Sequence, residues 1–589
     1  MSLTAYDKYL YTHGLILKTD NDDNKGRSVI STCEHKRGSV LITSQPLGTV
    51  VLPSNRHEVC NYCFRKPISP STLQRCSQCK KAYFCDMACF KNAWLTYHQY
   101  VCTSSPKPPA NNNKEDDEDQ DALDLEMVER VALNCWRYNK RVTSNENGDD
   151  QEDTLLDDEG VDVTMEAFYS LMGHEKQQPK YVLERYHRLA RKALAKSYLA
   201  QSGLKEDQLV HYLCQFQCNN FSIHDDHLFT VGEGTYPIAS LINHSCRPNA
   251  IVMFEGALLS IIAIEDIPVD QEITIAYMDV AHDRSHRQSG LFNKYFFNCQ
   301  CVRCVDNHPS ANVYGKIDSL FGKELSEWDR AQALLDINNN DEKKIREYVL
   351  QQISEEEWDL QELCLTYDRK HNSIPDPTKP LTLGTYTHYL VQFFAPYIWS
   401  VLNPQLRLGK KRSQQHTENG RNGSLSYFND PLPHLAQPKV PTTYEGILTK
   451  CMNDIQSYPV RKDGITPYSL ATLSASTQLL YDIMAKGQWR VAVKLALYIF
   501  VQYCWIYPPY HPILAQHIVL YAKCCWNSII QNELIGNGRN LEEFYARGVR
   551  RFIMIGKETL ATAVGKRGEQ WKEIIELEWL FLREQKLKE

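Results

Sequence analysis

The sequence lacks the excess of positive charge that marks many nucleic-acid-binding proteins. Its 65 lysines and arginines are outnumbered by 72 aspartates and glutamates, which gives a formal net charge of −7 at pH 7. Proteins that bind nucleic acids usually carry a basic stripe, so the composition gives no strong nucleic-acid signal. The mild acidity suits basic protein substrates, but such acidity is common and this indication is weak.

Two features of exported and membrane proteins are also missing. No basic region followed by an apolar run is visible at the N-terminus, so we expect no signal peptide. The longest apolar stretch, residues 491–507, is interrupted by Lys494 and Gln502 and ends at Pro508. It is short for a membrane span, so we expect a buried helix and no membrane contact.

Cysteine, by contrast, is abundant, and its spacing argues against a disulfide-rich secreted protein. Of the 20 cysteines, eleven fall at metal-ligand spacings, and the others are predicted to be buried reduced thiols. This usage is typical of a reducing compartment, so we expect the cytoplasm and nucleus. With 589 residues, 43% of them hydrophobic, the chain is expected to form three or more compact units and to be a monomer.

A cysteine-dense module at residues 60–102 carries four short ligand pairs. Seven cysteines and one histidine make eight ligands, enough for two closed tetrahedral zinc sites. A disulfide framework is the alternative, and a reducing compartment disfavours it. The eight ligands are Cys60, Cys63, Cys76, Cys79, Cys85, Cys89, His98 and Cys102.

A third zinc site is predicted from the heptapeptide at residues 243–249 and a later Cys-x-Cys-x2-Cys run. That run cannot complete a tetrahedral zinc site without a fourth ligand, and Cys246 supplies one. The metal would then fasten a C-terminal flap beside Asn243 and His244. The four ligands are Cys246, Cys299, Cys301 and Cys304.

The pattern of apolar residues separates a β-rich part from a helical part. Short strands are predicted at 39–44, 49–52, 258–264 and 272–277. Helices are predicted over about 122–142, over about 164–201 and, apart from a polar loop at about 408–440, everywhere after about 315. The last helical runs are similar to paired-helix repeats, although no strict period can be counted.

Three motifs resemble those of a known family. Residues 232–249, the segment 272–277 and the segment 295–304 are similar to the core and post-SET motifs of SET-domain lysine methyltransferases, and the module resembles the MYND zinc finger. Together they resemble the SET-and-MYND (SMYD) family, well over residues 8–310 and more loosely beyond. In MYND fingers the two zincs are interleaved, so the resemblance pairs Cys60, Cys63, Cys85 and Cys89 at one zinc, and Cys76, Cys79, His98 and Cys102 at the other.

The resemblance implies a multi-domain α+β fold. A SET β-fold is split by an inserted MYND zinc finger, continues into a zinc-bound post-SET flap, and is followed by an all-α TPR-like domain. The predicted boundaries are 1–57 for the N-terminal SET part, 58–103 for the MYND finger, 104–121 for an acidic linker, 122–204 for a helical insert with an acidic loop at 144–160, 205–280 for the SET core, 281–310 for the post-SET region and 311–589 for the C-terminal domain.

The family also suggests which residues bind the methyl donor, S-adenosylmethionine. Asn243 would bind its amino-acid tail, and the backbone of His244 would reach its adenine. A glycine lets the backbone approach a ligand closely, which fits the N-terminal loop at Gly26. The residues carried over are Lys25, Gly26, Arg27, His174, Asn243, His244, Tyr277, Tyr295 and Phe297.

Tyr277 is the catalytic candidate. Only a neutral lysine amine attacks a methyl group, and neutralising a lysine of pKa about 10.4 near pH 7.4 costs roughly 4 kcal/mol. A narrow apolar, aromatic channel lowers that cost by disfavouring the ammonium form. By resemblance, the Tyr277 hydroxyl orients the amine at the inner end of such a channel.

These observations predict a protein-lysine N-methyltransferase that acts on lysine-containing proteins, histone tails among them, with S-adenosylmethionine and three zinc ions. The alternative is a non-catalytic adaptor that binds partners through the MYND finger and the C-terminal helices. A proline-rich peptide is one partner that such a finger would take, and support of its neighbours is the other role. The acidic segments at about 104–121 and 144–160 are expected to be solvated spacers rather than substrate contacts.

Overall fold

The computed structural model describes residues 3–19, 26–67, 72–102, 116–147, 158–305, 313–318, 445–446, 448–449, 470–535, 539–566 and 568–588. The chain divides into two compact units, where the composition predicts three or more. The first contains Met1–His244, Pro248–Ile275 and Gly290–Asn298, and the second contains Ser245–Arg247, Ala276–Ser289 and Cys299–Glu589. The cysteine-dense module does not separate as a unit, because it packs on strands of the first one.

Twelve short strands are found in the described residues, most of them in sheets of two or three. They are β1 (Leu15–Thr19), β2 (Arg27–Ser31), β3 (Val40–Ser44), β4 (Gly48–Val51), β5 (Gln74–Arg75), β6 (Tyr83–Phe84), β7 (Asn220–His224), β8 (Thr230–Thr235), β9 (Asn243–His244), β10 (Ala250–Glu255), β11 (Leu258–Ala263) and β12 (Thr274–Ile275).

The helices of residues 3–305 come before, between and after these strands. They are α1 (Ala5–Thr12), α2 (Met87–Ala93), α3 (Gln99–Val101), α4 (Asp116–Asn147), α5 (Asp158–Ser170), α6 (Lys180–Leu194), α7 (Ser197–Ala200), α8 (Glu206–Asn219) and α9 (Arg284–Tyr295). A π-helical turn, Trp94–His98, joins α2 to α3.

Strands from before and after the cysteine-dense module belong to the same sheets. β3 pairs antiparallel with β11, in the order β10-β11-β3, and β4 pairs antiparallel with β8, in the order β4-β8-β7. Alternate residues of a strand face one side, and Ile42 and Ile261, which lie opposite each other, are fully buried. The module and the helices α4 to α8 therefore interrupt a set of strands that is assembled from distant parts of the chain.

Several elements differ from the sequence prediction. The chain begins with α1, where strands alone are predicted, and Thr4 and Asp7 form a capping box at its start. The predicted helix 122–142 extends over Asp116–Asn147 and reaches into both predicted acidic spacers. The rest of the spacers, 103–115 and 148–157, lies outside the described residues.

The predicted strand 272–277 is shorter in the structure. Only Thr274–Ile275 forms a strand, and it pairs in parallel with Asn243–His244. Tyr277 therefore follows the strand instead of ending it.

The described C-terminal part is helical, as predicted. Its helices are α10 (Leu470–Ala485), α11 (Trp489–Ile506), α12 (Pro512–Ile535), α13 (Arg539–Ala563) and α14 (Glu569–Lys588), and each packs against the next. One described helix, α11, is long and apolar enough to span a membrane by length and composition alone, but 78% of its 18-residue window is buried in the protein. The predicted loop at 408–440 lies outside the described residues, and the TPR-like character stays a prediction.

Candidate functional site

The eight predicted ligands of the cysteine-dense module form two clusters. In each cluster the ligand atoms all lie within 4.8 Å of one another. The clusters have the interleaved composition that the family resemblance implies. One contains Cys60, Cys63, Cys85 and Cys89, and the other contains Cys76, Cys79, His98 and Cys102.

Local backbone conformation brings these ligands together. Phe64 and Lys80, each of which follows a Cys-x2-Cys pair, have positive φ angles of 62° and 56°, which turn the chain sharply after the second cysteine. Asp86 caps α2 through a 2.8 Å hydrogen bond from the backbone N–H of Cys89. The π-helical turn ends at His98, and burial lowers the pKa of this histidine, so its ring is neutral and suited to binding a metal.

The module is fixed to the strands of the first unit through two glycines. A Cβ on Gly256, in the turn between β10 and β11, would lie 2.3 Å from the carbonyl oxygen of Cys63. A Cβ on Gly232, in β8, would lie 2.3 Å from the ring of Phe64. Neither position has room for a side chain, so the first metal cluster lies directly against the sheet.

The third predicted cluster also forms. The sulfur atoms of Cys246, Cys299, Cys301 and Cys304 lie within 4.8 Å of one another, and three of the four residues are buried. Gln288 holds the backbone of Cys299 through two hydrogen bonds, one of 2.7 Å to its carbonyl oxygen and one of 2.9 Å from its N–H.

Two buried arginines that the sequence did not reveal surround this cluster. Arg287 is fully buried, donates from Nε to Cys246 Sγ over 3.3 Å and forms a bidentate ion pair with Asp318 at 3.0 and 2.8 Å. Arg303 shares the same carboxylate at 3.2 Å and donates to the carbonyl oxygen of Cys246 at 3.2 Å. Such contacts hold a thiolate in place and offset its charge.

The donor sets fit zinc. Four thiolates, or three thiolates and one imidazole, are the ligand sets of closed structural zinc sites. Two clusters have four sulfurs and one has three sulfurs and a nitrogen. Closed sites leave no open position on the metal, so their contribution is to folding.

Asn243 is held by its side-chain amide. Its Nδ2 donates to the carbonyl oxygen of Arg27 over 2.6 Å and to the Glu272 carboxylate over 2.9 Å. Both amide protons are therefore used, and Oδ1 is the remaining polar atom, an acceptor suited to an ammonium group.

Asn249, at the other end of the heptapeptide, binds the backbone of the segment that contains Glu272. Its Nδ2 donates to the carbonyl oxygen of Glu272 at 2.8 Å, and its Oδ1 accepts from the N–H of Thr274 at 2.8 Å. The two asparagines thus fix the residues that lead into β12 against the heptapeptide. Glu272 and Asn249 were not among the predicted site residues, because a side chain that only positions another one has no signal of its own in a single sequence.

The aromatic candidates lie close together in the first unit. The ring of Phe297 lies 6.1 Å from that of His244 and 6.5 Å from that of Tyr295, measured between centroids. Phe296, which was not predicted, lies 5.4 Å from His174. A ring-shaped ligand such as adenine can pack on surfaces of this type.

His174 has features that point to a ligand. It adopts a left-handed conformation with φ of 51°, and its buried Nδ1 has no hydrogen-bond partner among the described residues. Burial lowers its pKa, so the ring is neutral and keeps one acceptor and one donor. A buried polar atom without a partner is costly, and a bound molecule would supply the partner.

Gly26 directly precedes the second strand, which begins at Arg27. Gly26 has a positive φ of 71° with open space where a Cβ would be. Arg27 donates from Nη1 to Ser170 Oγ at 3.1 Å, at the end of α5. Lys25 lies outside the described residues.

Tyr277 lies in the second unit and is half-buried. The residues that follow it are tied to the helical part of that unit, since the Tyr507 hydroxyl donates to Asp279 at 3.1 Å. Burial, with the Asp279 carboxylate nearby, raises the pKa of Tyr507 well above its ordinary value, so this hydroxyl stays protonated and remains a donor.

Comparison with known proteins shows what these residues are similar to. Residues 26–278 match the family model of the SET domain, a span that includes the cysteine-dense module. The chain is 27% identical over 292 residues to histone-lysine N-methyltransferase ASHR1 of Arabidopsis thaliana. The aligned residues cover 49% of this chain and 55% of that protein. It is also 27% identical over 311 residues to human histone-lysine N-methyltransferase SMYD3, and this alignment covers 51% of this chain and 64% of that protein.

Human N-lysine methyltransferase SMYD2 is 25% identical over 351 residues, which cover 59% of this chain and 73% of that protein. The chain thus spans less than two thirds of the length of ASHR1 and SMYD3. The solved SET domain of LSMT bound to lysine and AdoHcy aligns with a TM-score of 0.26 and 13% identity, over 54% of this chain and 64% of that one, a score too low for comparing the sites.

The chain contains a SET domain, with mixed helices and strands and a helical region after it. Its Cys/His clusters accompany that domain. The SET domain match and the similarity to ASHR1, SMYD3 and SMYD2 support the resemblance to the SET-and-MYND family that the sequence motifs indicate.

Proposed function

We propose that this protein is a protein-lysine N-methyltransferase that uses S-adenosylmethionine. The observation that carries the proposal is the side chain of Asn243, whose two donated hydrogen bonds direct Oδ1 for use as an acceptor. The unpaired Nδ1 of His174 and the rings of His244, Tyr295 and Phe297 support it. The relatives named above are lysine methyltransferases by name, and the SET domain match extends through Tyr277.

The proposed roles follow from the chemistry of each side chain. When bound, S-adenosylmethionine supplies an electrophilic methyl group. Asn243 accepts a hydrogen bond from the amino group of its tail, and the rest of the tail approaches Gly26 and Arg27, with Lys25 assigned to the same contact by family resemblance alone. His174, His244, Tyr295 and Phe297 contact the adenosine part.

The proposed catalytic residue is Tyr277. Its hydroxyl accepts or donates one hydrogen bond without ionising, so it can hold a neutral lysine amine in line with the methyl group. The expected gain is positional, because a fixed near-attack geometry removes much of the entropic barrier of a bimolecular reaction. The chain would act on lysines of other proteins, histone tails among them, in the cytoplasm and nucleus.

The three Cys/His clusters are proposed to hold one zinc each. By family resemblance, the cysteine-dense module is a MYND finger that splits the SET domain and can bind a proline-rich peptide. The cluster at Cys246 would make residues 299–304 the post-SET flap. Three zinc ions per chain is the stoichiometry that this proposal requires.

The test is methyl transfer with radiolabelled S-adenosylmethionine to histones and to an array of cell-extract proteins. We expect label on lysine with the wild type and a loss of at least about a hundredfold with Tyr277→Phe, the range seen when a positioned catalytic group is removed. Tyr6→Phe, a half-buried tyrosine on α1, is the matched control and should retain activity.

Binding of S-adenosylhomocysteine, measured by calorimetry, separates the two sequence hypotheses. Tyr277→Phe should bind it nearly as the wild type does. A wild-type chain that binds it but labels no substrate would overturn the enzymatic proposal and favour the adaptor.

A further inference from the structure

The last described helix, α14, is apolar on both of its faces. The inner face, with Ile574, Leu577 and Phe581, is buried against the neighbouring helices. The outer face presents Trp579, which is 57% exposed, together with other apolar side chains that are at least one third exposed. These are Ile575, Leu580, Leu582 and Leu587. Exposed apolar side chains that are grouped on one surface mark interaction sites, whereas single ones do not, so the apolar part of the outer face has the composition of a surface that a partner covers.

The outer face has a symmetric arrangement about Trp579. Ile575 and Leu582 lie on one edge of it, and Glu576 and Arg583 lie towards the other edge. The members of each pair are seven residues apart, so each pair stands on one side of the helix, two turns or about 10.5 Å apart. Trp579 lies between the members of both pairs, three residues from one member and four residues from the other.

We infer that α14 is a self-association surface, which pairs antiparallel with α14 of a second copy of this chain. In an antiparallel pair related by a two-fold axis at Trp579, Ile575 of one copy meets Leu582 of the other. On the other side, Glu576 of one copy meets Arg583 of the other. The two-fold axis produces this ion pair twice in the dimer. A two-fold interface uses the same patch on both copies and must therefore be complementary to itself.

The charged side chains of α14 favour a second copy of this chain over another partner. Glu576 and Arg583 are both exposed and have no ion-pair partner among the described residues, and Arg583 lies over the Trp579 ring with its guanidinium 5.3 Å from the centroid. Glu573 and Glu578, on the sides of the helix, are already paired with Lys523 at 2.6 Å and Lys557 at 2.7 Å. Glu576 and Arg583 are thus two charges of the outer face that an antiparallel copy would neutralise.

Two lysines at the ends of the outer face set the limits of the contact. Lys572 and Lys586 are exposed and would approach each other across the pair. Their long side chains can extend into solvent, so they belong to the rim. The inferred reversible dimer is an alternative to the monomer that the sequence analysis predicts.

The experiment is sedimentation velocity of the full chain, with zinc present, up to roughly 100 µM, where even a dimer of micromolar affinity is mostly assembled. We expect a monomer–dimer equilibrium in the wild type. Trp579→Ala should raise its dissociation constant at least about tenfold, as loss of a central aromatic residue does. Tyr481→Ala on α10, which removes an aromatic residue of 56% exposure, is the matched control and should leave the equilibrium unchanged.

Charge exchange tests the antiparallel register itself. E576R and R583E should each weaken the dimer, because each places like charges opposite one another. The double variant E576R/R583E should restore it, and so should an equimolar mixture of the two single variants. Metal content and circular dichroism confirm that each variant is folded.

The inference is overturned if the wild type stays monomeric over the whole range, which is also the result expected if residues 319–444 of the same chain cover α14. It is equally overturned if a dimer forms and neither Trp579→Ala nor the single charge reversals weaken it. A dimer that Trp579→Ala weakens but the double variant does not restore overturns the antiparallel register.

Discussion

The side-chain amide of Asn243 donates to the carbonyl oxygen of Arg27 over 2.6 Å, although the two residues are 216 positions apart in the chain. This bond joins the heptapeptide to the loop that contains Gly26. The Glu272 carboxylate accepts the second amide proton, so the orientation of the asparagine is set by two separate parts of the first unit. An acceptor that is already fixed favours tight binding of a charged ligand, because little side-chain freedom is lost on binding.

Asn243→Ala should weaken binding of S-adenosylhomocysteine about 10- to 100-fold, the effect of about 1.5–3 kcal/mol for a hydrogen bond to a charged group. Calorimetry measures this directly. Asn134→Ala is the control, because it also removes an amide that donates to a backbone carbonyl, that of Leu47 at 2.6 Å, but on α4. Unchanged affinity in a folded Asn243→Ala protein would remove Asn243 from the proposed site.

Cys246→Ser should lower the metal content from three to two zinc ions per chain, measured by mass spectrometry of the metal. Affinity for S-adenosylhomocysteine should fall as well, because Cys246 follows His244 closely in the chain and its cluster fixes that peptide. The control is Cys33→Ser, since Cys33 is exposed and belongs to none of the three clusters. A Cys246→Ser protein that still holds three zinc ions would refute the four-cysteine site.

Gly256→Ala should destabilise the contact between the cysteine-dense module and the β10–β11 turn. Two causes act here, the positive φ of 64° and the approach of the new Cβ to the Cys63 carbonyl. The control Gly203→Ala has a φ of 73° but open space around it, so it measures the backbone strain alone. We expect Gly256→Ala to cost about 1–3 kcal/mol more than the control, the usual range for overpacking.

Thermal unfolding midpoints and the rate of zinc release to a chelator compare these two variants. The chelator should remove zinc faster from Gly256→Ala than from Gly203→Ala. Equal midpoints and equal release rates would mean that the module is not held by this turn.

His517 should make the C-terminal helices sensitive to mild acid. It is buried, its Nε2 donates to the carbonyl oxygen of Ala496 at 2.7 Å, and burial lowers its pKa to about 4. Because the unfolded chain binds a proton near pH 6.5 and the folded chain does not, the unfolded state gains protons first as the pH falls. Stability is therefore complete above pH 6.5 and decreases between about 6.5 and 4, by up to about 1.4 kcal/mol for each pH unit.

Unfolding by urea at pH 7.5 and at pH 5.5 tests this expectation. His517→Gln, which keeps a donor for Ala496 but cannot be protonated, should lose less stability between the two pH values than the wild type. His57→Gln, an exposed histidine, should lose as much as the wild type. The expectation fails if the His517 variant and the wild type show the same pH dependence.

The metal clusters were the most predictable part of the molecule. Zinc ligands come in short pairs, so Cys60-x2-Cys63 or Cys299-x-Cys301 can be recognised from spacing alone. The pairing of Cys246 with the later run needed chemistry as well, since three cysteines leave a tetrahedral site incomplete. Whether each cluster binds zinc stays a prediction.

The residues that support the site could not be predicted. Arg287, Arg303 and Asp318 form one buried network, but an arginine that will be buried does not differ in sequence from one on the surface. The same is true of Glu272 and Asn249. The helix α1 was missed because its capping box, Thr4 with Asp7, is a weak signal, and the strand ending at Tyr277 was overestimated because an apolar run does not show where pairing stops.

The pairing of β3 with β11 has a consequence for synthesis on the ribosome. Val40 lies opposite Ile262, so roughly 220 residues must be translated before the third strand finds its neighbour, or about 10–45 s at ordinary rates of translation. During that interval β3 and β4 have no partner strands, while the ligands of both clusters of the cysteine-dense module have already emerged. Without zinc, the nascent chain would therefore expose both an unfolded cysteine-dense module and unpaired strand edges. We expect aggregation during synthesis to be the first effect of zinc starvation.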